Sequence, residues 1–126
     1  MASDKRILLD VLKAELEFLE KGGYRHTARA AWRPQFIFQD SPTCLNFDST
    51  RELQPCGDCI LMQLVPEDST KEKIPCRNIP LNERGETIDS FYRYRTAAEL
   101  EAALGSWLKR TIQRLEEEKR NSAAAA

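Results

Sequence analysis

Residues 56–65 read CGDCILMQLV. Cys56-Gly57-Asp58-Cys59 places two thiols two residues apart. That spacing lets both approach one ion from a tight turn, and Gly57 eases the turn. Ile60 to Val65 is a compact apolar run stopped by Pro66. Bounded on both sides by turn signals, it reads as a short strand. A strand beside a thiol pair, in a chain with a helical pattern at either end, predicts an α+β domain.

The segments on either side carry the other two cysteines. Together the four are Cys44, Cys56, Cys59 and Cys76, spaced C-x11-C-x2-C-x16-C. Pro42, Pro55, Pro66, Pro75 and Pro80 punctuate this region, and proline interrupts helices and central strands alike. Regular structure is poorest here, so a metal cross-link would contribute most to folding here. Two sulfurs from the C-x2-C turn and two from flanking segments complete a tetrahedron of the structural-zinc kind. Arg77 or Lys73 could offset the thiolate charge. Four thiolates also suit an iron–sulfur cluster, and small buried thiols without metal are a third reading. Thiol–disulfide chemistry fits less well. A redox pair sits where a strand meets a helix, whose N-terminus lowers the first thiol's pKa. Here Ser49 to Pro55 reads as a loop, and Ile60 to Pro66 is too short and apolar for a good helix.

Further out, Phe36-Ile37-Phe38 reads as a short strand closed by Asp40-Ser41-Pro42. Ile79 to Leu81 and Glu86 to Tyr94 read as a hairpin. Its turn is Asn82-Glu83-Arg84-Gly85, with Gly85 supplying the unusual dihedral. At the N-terminal end, Ser3 to Lys21 predicts a helix capped by Ser3 or Asp4 and stopped by Gly22-Gly23. Its apolar residues form two stripes. Ile7, Val11, Ala14 and Phe18 make one; Leu8, Leu12 and Leu19, with Leu16 at the edge, make the other. Together they are wider than a single core-facing stripe, so part of the face could meet a partner chain. At the C-terminal end, Thr96 and Glu99 form a capping box. Leu100, Leu104, Trp107, Leu108, Thr111, Ile112 and Leu115 follow at helical spacing. The charge run Glu116 to Arg120 reads as a solvated helix end.

The expected architecture is two long amphipathic helices flanking a small, mostly antiparallel sheet, with a four-cysteine metal site in the connecting loops. With 126 residues, the chain fits one metal-stapled domain over 1–121 and a flexible tail over 122–126. A net charge of −1 argues against a protein built mainly to grip a nucleic-acid backbone. No apolar stretch is long enough to cross a membrane, and Met1 to Arg6 lacks the apolar run of a secretion signal. The expected location is therefore the cytoplasm, where cysteines stay reduced and serve as ligands or reactive thiols.

Catalytic signals are weak. His26 is the only histidine and has no partner motif. Asp40, Glu86 and Asp89 show no spacing that pairs carboxylates, and no glycine-rich phosphate loop or dinucleotide fingerprint is present. Four cysteine ligands would leave a metal no open position for chemistry. The leading expectation is a non-catalytic zinc protein that acts as an interaction or accessory module, binding a protein partner or itself. A nucleic-acid-binding zinc protein is the second. It would use Arg25, Arg29 and Arg33 beside Trp32, and Arg93 and Arg95 among Phe91, Tyr92 and Tyr94. An iron–sulfur or thiol redox protein is the third.

Overall fold

The computed structural model describes residues 6–24, 36–38, 41, 43–44 and 56–125. Its first helix, α1, spans Leu8–Glu20. The caps expected at Ser3 and Asp4 lie outside the described residues. The helix stops where its glycines predict. Gly22 takes φ 80°. The Gly22 N–H donates to the Leu19 carbonyl at 3.0 Å, and the Gly23 N–H donates to the Phe18 carbonyl at 2.9 Å. These are the paired bonds of a Schellman ending, which satisfy carbonyls the helix itself leaves free.

The buried face of α1 is rotated from the expected one. Leu9, Val11, Leu12, Glu15 and Leu19 are inside, whereas Ile7 is 65% exposed and Ala14 is also exposed. The stripe that pointed to a partner-binding face is thus split between core and solvent.

Four short 3-10 helices follow, at Cys56–Asp58, Ile60–Leu64, Glu67–Ser69 and Pro75–Asn78. Then come α2, Ile88–Tyr94, and α3, Ala97–Ala125. The α3 start is the expected capping box: Glu99 N–H donates to Thr96 Oγ1 at 3.1 Å, and Thr96 N–H donates to Glu99 Oε1 at 3.0 Å. Leu100, Leu104, Trp107, Leu108, Thr111 and Ile112 are buried along one face of α3.

Helices α1 and α3 pack antiparallel. Lys13 Nζ lies 3.2 Å from Glu116 Oε2, and a methyl group placed on Gly105 would meet Leu19 Cδ2 at 3.5 Å. Moving up α1 therefore means moving down α3. Leu12, Leu104 and Leu108 are fully buried in the core.

The expected α+β class is not what forms. Among the described residues the architecture is all-α, three helices with 3-10 turns and no strand. Each expected strand fails for its own reason. Ile60–Leu64 coils into a 3-10 helix that buries Leu61, and Val65, buried too, follows it as an extended cap. A short apolar run serves either conformation, and periodicity alone does not separate them.

Phe36 to Phe38 turns rather than extends. Ile37 and Phe38 are both buried, and Phe38 sits at φ 65°, which no strand residue adopts.

The hairpin shrinks to one antiparallel bridge, Pro80 with Thr87. Its turn does form, with Gly85 at φ 77°. Thr87 then starts a helix: Ser90 N–H donates to Thr87 Oγ1, and Thr87 N–H donates to Ser90 Oγ. This reciprocal cap takes the donors that a second strand would have used.

Candidate metal centre

The four cysteines sit on three separate pieces of chain, each shaped by local bonds. Cys59 N–H donates to the Cys56 carbonyl at 3.0 Å, so the C-x2-C segment closes as a turn. Cys76 lies in the 3-10 helix Pro75–Asn78, whose proline occupies the first turn, where a missing N–H costs nothing. Cys44 N–H donates to the Ser41 carbonyl at 3.2 Å. The helix Ile60–Leu64 packs against both the C-x2-C turn and Pro75–Asn78, bringing the thiol pair toward Cys76.

The Cys76 thiol feels the charge of the other three. Burial pushes the Cys76 thiol up to about 12, and charge on Cys44, Cys56 and Cys59 each pushes it further, against a smaller pull from Arg77. Cys56 is exposed; its thiol is raised by desolvation and by Cys44. Among the described residues, no group of three or more His, Cys, Asp or Glu side chains is set to hold an ion. The thiols share a neighbourhood, and an ion would have to draw them into a coordination shell.

Of the two cations expected nearby, Arg77 is the one placed. Its guanidinium lies over the Phe36 ring at 4.7 Å and the Tyr92 ring at 5.6 Å, an arrangement in which ring faces attract the cation. Tyr92 Oη also accepts from the Ile37 N–H at 2.7 Å. The segment carrying Cys76 is thereby tied to the segment leading toward Cys44. Lys73 is exposed.

One group matters that the sequence reading passes over. Glu15 is fully buried on α1. Its Oε1 accepts from Ser41 Oγ at 2.7 Å and Thr43 Oγ1 at 2.6 Å, and its Oε2 accepts from the Tyr24 hydroxyl. Tyr24 Oη in turn accepts from Phe38 N–H at 2.8 Å. Three hydroxyl donors on two oxygens suit a carboxylate. Burial nevertheless holds the Glu15 pKa above the ordinary value, the hydroxyls only partly offsetting it. The signal was present in the sequence: Leu8, Leu12, Glu15 and Leu19 share one helical stripe, and a carboxylate inside such a stripe needs partners.

Among the remaining candidates that are described, Arg93 and Arg95 are held by carboxylates. His26, Arg25, Arg29, Arg33 and Trp32 lie outside the described residues. Arg93 pairs with Asp89 at 3.0 Å, and Arg95 pairs with Glu86 at 3.0 Å and Glu99 at 3.4 Å. The aromatic residues near them ride a helix, with Phe91 buried and Tyr94 80% exposed, so no aromatic–basic strand exists. Among the described residues, no helix is long and apolar enough to cross a membrane. No protein-family model, curated protein or solved structure matches this chain, so the reading of the site rests on its own residues.

Proposed function

We propose that this chain is a small non-catalytic zinc protein, an interaction or accessory module in which Cys44, Cys56, Cys59 and Cys76 close on one ion. The observation that carries the reading is the packing of the Ile60–Leu64 helix against both the C-x2-C turn and the helix that bears Cys76. Thiolates gathered this way repel one another, and a bound divalent cation reverses that balance by deprotonating and holding them. Four thiolates fill a tetrahedral ion completely, which favours a structural over a catalytic role. The raised thiol of Cys56 is the opposite of what an attacking redox cysteine needs. The ion pairs of Arg93 and Arg95 leave the nucleic-acid reading with less positive charge to offer. A reducing compartment such as the cytoplasm suits free thiols. Among the described residues Ile7 and Tyr94 are the exposed large hydrophobics, so contact with a protein partner or a second copy is sought there first.

Elemental analysis with a visible spectrum, on untagged protein purified without oxygen, tests the proposal. A colourless protein with a single equivalent of zinc supports it. Iron with sulfide and a brown colour replaces it with an iron–sulfur protein. Metal-free protein that stays metal-free when zinc is supplied removes the site.

A further inference from the structure

We infer that Glu15 is a positioning residue for Cys44, so that the buried hydroxyl cluster on α1 and the thiol site operate as one coupled unit. The inference rests on the thiol–metal reading above and adds to it a residue of α1, outside the three thiol-bearing segments. The three cysteine-bearing segments are held in different ways. Cys56 and Cys59 are held by their own turn, and Cys76 by the 3-10 helix Pro75–Asn78. Cys44 lies in no helix or strand.

What holds it is a chain of bonds ending on Glu15. Cys44 N–H donates to the Ser41 carbonyl at 3.2 Å, and Thr43 N–H donates to Ser41 Oγ at 3.2 Å. Ser41 and Thr43 each donate their hydroxyl to Glu15 Oε1. Ser41 N–H reaches back to the Phe38 carbonyl at 3.2 Å. The Phe38 N–H is taken by Tyr24, whose own proton goes to Glu15 Oε2. Both carboxylate oxygens are therefore committed to the segment that delivers Cys44. Glu15, Ser41 and Thr43 are all buried, so water cannot substitute for a lost partner without opening the core.

Glu15→Gln is the informative change, because it keeps the shape. It leaves one acceptor oxygen where three donors had two, and adds an NH2 that pairs only if one of those hydroxyls turns round to accept it. The expected result is that Cys44 leaves the ligand set. Affinity for zinc or cobalt(II) falls roughly 10- to 100-fold, the range typical when support behind a metal ligand is lost. The thiolate-to-cobalt charge-transfer intensity falls by about a quarter, from four thiolates to three. Cys44→Ser should give the same spectrum, and adding Glu15→Gln to it should change affinity no further. Leu108→Ala destabilises the core elsewhere and should retain the four-thiolate spectrum.

A four-thiolate spectrum with unchanged affinity in Glu15→Gln overturns the inference. So does an affinity loss that persists undiminished in the Cys44→Ser background, which would mark Glu15 as general scaffold. Where Glu15→Gln fails to fold, Thr43→Val removes only the donor next to Cys44 and carries the same expectation.

If the unaltered protein takes up neither zinc nor cobalt, the metal reading fails by itself. The positioning is then read by alkylation of the metal-free protein. Cys44 should react at least about tenfold faster in Glu15→Gln, with Cys56 and Cys59 unchanged. Equal Cys44 rates overturn it.

Discussion

The helix pair α1–α3 and the cysteine-bearing turns are ordered by different means. Between the helices, one kind of contact repeats: Leu12, Leu104 and Leu108 lie wholly inside, and losing any single methyl group leaves the rest of the seam intact. The turns around Cys44, Cys56, Cys59 and Cys76 have no such redundancy. Each is closed by a few hydrogen bonds, and they are linked through single groups: Glu15, the Tyr24 and Tyr92 hydroxyls, and Arg77. Hydrophobic seams degrade gradually, whereas polar tethers act singly and over long stretches of chain. If the thiols hold an ion as proposed, its removal should loosen the turns while the helix pair keeps its packing.

The sharpest way to break this contrast is to cut the seam. Leu108→Ala should destabilise the protein by about 2–5 kcal/mol, as for other fully buried leucines. On the picture above the loss is similar with and without metal, measured by denaturant unfolding in zinc and in chelator. A loss confined to the metal-loaded protein would mean that the two regions are a single unit.

The polar side has a pH signature. Burial raises the Glu15 pKa from 4.5. The unfolded chain therefore releases this proton first, and the Glu15 contribution to stability is lost as pH rises above about 4.5. Glu17, Glu86 and Glu99 are shifted down, each first by a hydrogen bond, with Lys21, Asn82 and Thr96 respectively. Their contributions are present above 4.5 and lost as pH falls below it, so the two windows separate. Unfolding midpoints across pH should show the upper slope in the parent protein and not in Glu15→Gln.

Smaller effects test the helix pair at its margins. Thr96→Ala removes the α3 cap and should cost about 1 kcal/mol, seen as a modest drop in melting temperature. Arg93→Ala breaks an exposed pair four residues apart on α2 and should change stability by less than about 0.5 kcal/mol.

The same contrast explains what could be read from the sequence. Helix α3, its Thr96–Glu99 cap and the Gly22 stop were legible because their causes are local: a repeating apolar position, a side chain reaching three residues, a glycine at positive φ. The turns were misread because their causes are distant. Nothing near Phe38 announces that Tyr24 will take its N–H, and nothing near Ile37 points to Tyr92. The Ile60 to Val65 run was ambiguous by length alone. Two signals were present and outweighed. Thr87 and Ser90 have cap spacing, and Ile88, Phe91 and Tyr92 fall one helical turn apart, yet the alternation of Phe91 to Arg95 suggested a strand. The cysteine set was legible as a spacing, while the support behind Cys44 was not, since it depends on a glutamate almost thirty residues upstream.

The hydroxyl of Tyr92 has a kinetic consequence. The Ile37 amide is protected by a side chain 55 positions away, and the Phe38 amide by another. Hydrogen exchange at these two amides therefore needs only the release of a tyrosine, a local opening well short of global unfolding. The amides within α3 are shielded by the helix itself and should exchange more slowly. Followed site by site as zinc is added, Ile37 and Phe38 would serve as native-state reporters of how tightly this segment is fastened.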